Sequence, residues 1–232
     1  MKRWMLCLAF IVFTVLLDVG PPVQSHDAIT TTITWNREVS RIFAERCVTC
    51  HREGGKAFSL TTYADARPWA VAIKEETLSR RMPPWGAVRG FQEFRNDQSL
   101  TPEQLELISS WVEGGVPEGD AKDLSGERKA PVAWASADSL KVSKNALTVT
   151  GDLVLSKQFK LDGVLPQNVA KGSSFQVIAE VPGGAVIPLL WLYEYQPQFQ
   201  HAFRFQKPVS LPAKTRIYGL PPGSSVLLLP AR

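Results

Sequence analysis

Residues 34–51 read TWNREVSRIFAERCVTCH. Up to Arg46, the residues Val39, Ile42 and Phe43 recur at the three- and four-residue spacing of one helix face, which predicts a helix over Asn36–Arg46. That helix delivers the chain to CVTCH, residues 47–51, where two cysteines stand two residues apart and a histidine follows directly. Two thiols so spaced can each form a thioether with one of the two vinyl groups of a single haem, and the adjacent imidazole then lies under the iron. The motif implies one covalently attached haem c, bound by Cys47, Cys50 and His51, with His51 ligating the metal. The same residue types serve other chemistry. A thioredoxin-like pair needs a βαβ setting, which the flanking helical pattern does not supply, and a zinc site needs a fourth ligand.

Working outward toward the C-terminus, two more helices are expected. Tyr63–Ser79 places Trp69, Ala72, Ile73 and Thr77 on one side, with Pro68 limiting how early it becomes regular. Thr101–Glu113 has Thr101 and Gln104 as a capping box, Pro102 at the first helical position, an apolar face of Leu105, Ile108 and Val112, and Gly114-Gly115 as a stop. Between them lies Arg80-Arg81-Met82-Pro83-Pro84-Trp85. The prolines end any helix there and stiffen the loop that presents the Met82 sulfur. A thioether opposite histidine raises the haem potential and closes the sixth site, which suits electron transfer better than oxygen chemistry. Met82 is therefore expected as second axial ligand, with His201 as the fallback.

The N-terminus reads as a secretory signal: Lys2 and Arg3, an apolar run from Trp4 to Leu17, then Val23-Gln24-Ser25 as a cleavage site. The run is short for a membrane span, so membrane association follows only if the segment 1–25 stays uncleaved. Removing it leaves Cys47 and Cys50 as the only cysteines of three and Met82 as the only methionine of three. An exported chain without a disulfide framework is unusual unless its cysteines have another task. The net charge of +4 includes Lys2 and Arg3, and there is no basic stripe with interleaved aromatics, so no nucleic-acid partner is expected. His26, as a mature N-terminus, would chelate copper only with a second histidine beside it.

Composition changes near residue 120. Residues 121–135 are small, charged and Pro-containing and read as a linker. From 136 the pattern becomes short alternating apolar runs: Ser174–Val181, Ile187–Tyr195, Ala202–Lys207, Arg216–Leu220 and Val226–Leu229. These fit a small antiparallel β-sandwich over 136–232.

Phe43 ahead of CVTCH, the methionine loop and a final helix holding Trp111 resemble a class I cytochrome c over about residues 34–120. More narrowly, ARPWAVAIKEE (66–76), RRMPPW (80–85), NDQSLTPEQ (96–104) and WVEGGVPEGD (111–120) look like the cytochrome modules fused to bacterial copper type II, ascorbate-dependent monooxygenase-like domains. The segment PLLWLYEYQPQFQHAFRFQKPVSLPAKTRI (188–217) is similar to the closing strands of those copper domains. They hold copper with paired histidines and a methionine, whereas beyond residue 120 this chain has only His201 and no methionine. No copper is expected.

The resulting expectation is an α + β chain of two domains. An all-α class I cytochrome c-like domain over 34–120 precedes the sandwich. It would act as an exported mono-haem electron carrier of the bacterial periplasm or exterior, serving redox partner proteins and not itself an enzyme. The rival readings are a haem-containing redox subunit of an oxygenase or peroxidase-like enzyme, and a haem-based sensor or binding module. Arg80 and Arg81 are candidates to neutralise haem propionates, and Tyr63, Arg67, Trp69 and Trp85 to wall the haem or bind its propionates.

Overall fold

A computed structural model describes residues 31–95, 97–125, 131 and 141–231. The expected signal segment, with Cys7 and His26, lies outside the described residues, as does most of the expected linker. Among the described residues no helix is long and apolar enough to cross a membrane.

Eight strands follow residue 146: β1 (Leu147–Val149), β2 (Leu153–Val154), β3 (Phe159–Asn168), β4 (Phe175–Glu180), β5 (Val186–Leu192), β6 (Phe203–Leu211), β7 (Arg216–Tyr218) and β8 (Ser225–Pro230). They form two antiparallel four-stranded sheets, ordered β1-β8-β3-β6 and β2-β7-β4-β5. One core serves both: Leu161 and Val164 of β3, Phe203 and Phe205 of β6 and Leu228 of β8 meet Val177 of β4, Leu190 of β5 and Ile217 of β7. Alternation drives this packing, since every second side chain of a strand faces the same way. In β4, Phe175, Val177 and Ala179 are buried while their neighbours are half-exposed. Strand β3 departs from that regularity at a bulge between Leu161 and Gly163. There the backbone of β6 approaches so closely that a Cβ on Gly163 would stand 2.4 Å from the Phe203 carbonyl oxygen. Only glycine fits this contact.

The helices before the sheets are short. A π-turn at Trp35–Val39 leads into α1 (Ser40–Arg46). The helix expected over Tyr63–Ser79 is broken by a 3-10 turn at Arg67-Pro68-Trp69 into α2 (Tyr63–Ala66) and α3 (Ala70–Leu78). Proline lacks the N–H that a continuous helix would use. The longest, α4 (Pro102–Glu113), has 12 residues and the capping box of Thr101 and Gln104, each side chain bonded to the other's backbone N–H. Trp35, Phe43 and Trp111 pack as the aromatic centre of this segment, with Trp35 5.0 Å from Phe43 and 5.8 Å from Trp111. Its two ends are tied together by Trp35 N–H to the Pro117 carbonyl at 3.0 Å and Asn36 N–H to that of Glu118 at 2.9 Å.

The expected α + β class, with an all-α class I cytochrome c-like domain ahead of the sandwich, is overturned. A few short helices stand against eight strands in two antiparallel sheets, and the described chain is mostly β. The physical reason lies partly in residues 85–95, which join the sheets. Ala87 bridges Leu192 and Phe94 bridges Phe205, both antiparallel. Val88 donates to the Trp191 carbonyl at 2.9 Å, and Gln206 donates to that of Glu93 at 2.8 Å. Strands β5 and β6 are the edges of their sheets, and this segment covers both, satisfying backbone groups that an open edge would leave unpaired. Trp85, Ala87 and Phe94 are buried in the sandwich core as a result.

Candidate functional site

The CVTCH motif leaves the end of α1 as a tight turn. The Cys47 N–H still reaches the Phe43 carbonyl at 2.9 Å, and the Cys50 and His51 N–H groups return to the Cys47 carbonyl at 3.1 and 2.9 Å. Gly55 closes the turn, with room for no side chain: a Cβ there would lie 2.4 Å from the Cys50 carbonyl oxygen. Winding the motif this way brings Cys47, Cys50 and His51 to the wall of one cavity of about 310 Å³. Across from this turn, α3 contributes Ile73 and Thr77, and the loop after it contributes Met82, Pro83 and Pro84. Met82 is held there by its N–H, which donates to the Glu76 carbonyl at 3.0 Å. All four residues singled out from the sequence thus line a single space.

The chemistry of each group is set by its surroundings. Both cysteines are free thiols. Burial, and secondarily the neighbouring Cys50, push the Cys47 thiol up to about 12, although the residue as a whole keeps some exposure. A thiol so protonated is a poor thiolate for disulfide exchange. Burial also lowers the His51 pKa, against an opposing hydrogen bond to Phe58. Its ring is therefore neutral near neutral pH. Nδ1 lies 3.1 Å from the Phe58 carbonyl oxygen. If that nitrogen carries the proton, Nε2 keeps its lone pair for a metal.

Phe58, beside His51, has its ring centroid 4.6 Å from that of Trp69 with the planes tilted by 30°, and both are exposed although they line the cavity. Large apolar faces left open to water at a cavity mouth mark a surface that a ligand covers. Two further wall residues escaped the sequence reading. Arg46, the last residue of α1, donates from Nη1 to the Asp97 carbonyl at 2.7 Å, while its buried Nε has no hydrogen-bond partner. Phe199 reaches the same wall from a 3-10 turn at Pro197–Phe199 between β5 and β6. Neither carries a local sequence signal, because the cavity is assembled from distant segments.

Other expected neighbours lie elsewhere. Arg81 forms a two-pronged pair with the Glu76 carboxylate, both contacts at 2.9 Å. Tyr63 packs in the helical core and donates to the Val116 carbonyl at 2.8 Å. Trp85 is in the sandwich core, and His201 is stacked on it. Among the described residues, no three His, Cys, Asp or Glu side chains gather into a group that would hold a metal ion.

Neither protein-family models nor curated proteins match this chain. The residues of the site fit a haem: two thiols and an oriented imidazole on one wall, a thioether on the same cavity, apolar faces for a flat macrocycle, and the unpartnered Arg46 Nε for a carboxylate.

Proposed function

We propose that this chain binds one haem c covalently and carries single electrons, as an exported carrier that exchanges them with redox proteins in the bacterial periplasm or exterior and is not itself an enzyme. The observation that carries the reading is the meeting of Cys47, Cys50, His51 and Met82 on one largely apolar cavity. When bound, the haem supplies a one-electron ferric–ferrous couple. The chain supplies everything else. Cys47 and Cys50 would hold the ring by adding their S–H groups across its two vinyl groups, so that it stays in place without a deep pocket. His51, with Nδ1 at the Phe58 carbonyl, would ligate the iron through Nε2. Met82 would supply a thioether ligand and so keep small oxygen-type ligands out. Ile73, Phe58 and Trp69 exclude water, which favours the less charged ferrous state. The Arg46 guanidinium, paired through Nη2 with Glu45 at 3.3 Å, would offer its unpartnered Nε to a propionate.

The test is a pair of absorption spectra on the wild type and Met82→Ala. A wild type with a low-spin ferric spectrum and a near-red sulfur-to-iron band supports the reading, provided that Met82→Ala loses the band and its ferrous form begins to bind carbon monoxide. A wild type that already binds carbon monoxide avidly would overturn His/Met ligation.

A further inference from the structure

Among the described residues Phe199 is the one after β1 that lines the cavity, and it is linked to Met82 through His201, Trp85 and the intervening prolines. Its carbonyl oxygen lies 2.7 Å from His201 Nδ1. The His201 ring, 2% exposed, stacks on Trp85 with centroids 4.6 Å apart and planes 22° from parallel. Trp85 follows Met82-Pro83-Pro84 directly, and its N–H donates to the Pro83 carbonyl at 2.7 Å. The far side of this pair is packed into the core: Phe203 lies 4.9 Å from Trp85 and 4.4 Å from His201, each measured between ring centroids. The methionine loop is thus anchored in α3 at its start, through the Glu76 carbonyl, and in the β core at its end, through Trp85.

We propose that Phe199, His201 and Trp85 form a bracket by which the sandwich fixes Met82 in the cavity, so that the β part of the chain controls whether the sixth position of the haem is closed. This rests on the haem reading above. Pro83 and Pro84 make the link stiff, because each has its φ fixed and little freedom to absorb a shift of Trp85. Displacing Trp85 therefore displaces Met82. His201 and Trp85 are positioning residues, acting through the loop. Phe199 also bounds the space into which the Met82 side chain would swing.

The experiment uses the full chain with haem attached. Variants are Phe199→Ala, His201→Ala, His201→Phe and, as a control for general loss of stability, Leu228→Ala in β8. For each, the near-red sulfur-to-iron band of the ferric form and carbon monoxide binding by the ferrous form are measured alongside far-ultraviolet circular dichroism. His201→Ala and Phe199→Ala are expected to lose at least half of the band and to bind carbon monoxide at least tenfold more tightly than wild type. His201→Phe, which keeps a ring on Trp85, is expected to restore the band. Leu228→Ala is expected to melt earlier with the band intact. If His201→Ala does not fold, Trp85→Leu, which removes the ring that His201 stacks on, decides in its place. Bands and carbon monoxide affinity unchanged in a folded His201→Ala or Trp85→Leu, or lost equally in Leu228→Ala, would overturn the bracket while leaving the haem reading standing. A wild type without covalent haem would overturn both.

Discussion

Acidification should unfold this protein through His201 before most carboxylates are titrated. The ring is 2% exposed, stacked on Trp85 and packed against a tilted Phe203. Burial lowers its pKa to about 4, with the bond to the Phe199 carbonyl opposing the shift. In the unfolded chain it would titrate near ~6.5. Between these values the unfolded state binds more protons than the folded one, so stability falls as pH falls. The contribution is complete above the unfolded value and is lost progressively toward about 4. The gap between the folded and unfolded values corresponds to about 3 kcal/mol. Urea unfolding of wild type and His201→Phe at about pH 7, 5.5 and 4 isolates this effect. Carboxylates held low by hydrogen bonds, such as Asp65 and Glu76, weaken both proteins alike. The wild type should lose about 3 kcal/mol more than the variant over that range. Parallel losses in the two proteins would refute the reasoning.

Arg46→Gln should lower the haem midpoint potential by tens of millivolts, because removing a cation from the cavity wall favours the ferric state; a tenfold change in the electron equilibrium is about 59 mV. Spectroelectrochemical titration checks this, and an unchanged or raised potential would remove Arg46 from the site. Trp111→Ala should cost roughly 3–5 kcal/mol in urea unfolding, since the ring is fully buried against Trp35 and Phe43 and its Nε1–H donates to the Pro117 carbonyl at 3.0 Å. Thr101→Ala should cost about 1 kcal/mol by removing one half of the α4 capping box, measured in the same way.

The features legible in the sequence were those whose cause is local. The α4 cap depends on residues three apart. Strand β4 shows the two-residue alternation of its own buried face. Strand β3 was missed because Gly163 and Pro166 look like breaks, yet it pairs on both sides, with β6 and β8. The fold departs from the expected class for a related reason. Residues 86–95 carry no strand periodicity, and their place at two sheet edges is decided by the exposed backbone of β5 and β6, far along the chain. The same limit applies at the cavity. Cys47, Cys50, His51 and Met82 could be singled out because their side chains have distinctive chemistry. Arg46 and Phe199 have ordinary side chains, and only tertiary folding brings them to the wall. Trp85, named as a haem wall, is drawn instead into the β core by Phe94, His201 and Phe203.

Covalent attachment is the claim on which the rest depends. Full-length protein, produced by export in a host that matures c-type cytochromes, would be extracted with acid–acetone and its intact mass measured beside Cys47→Ser, Cys50→Ser and the double variant. The account predicts wild type that retains one haem after extraction, a double variant that retains none, and single variants with a weakened or partial attachment. Wild type that emerges at the mass of the polypeptide alone, with its colour in the solvent, would contradict it.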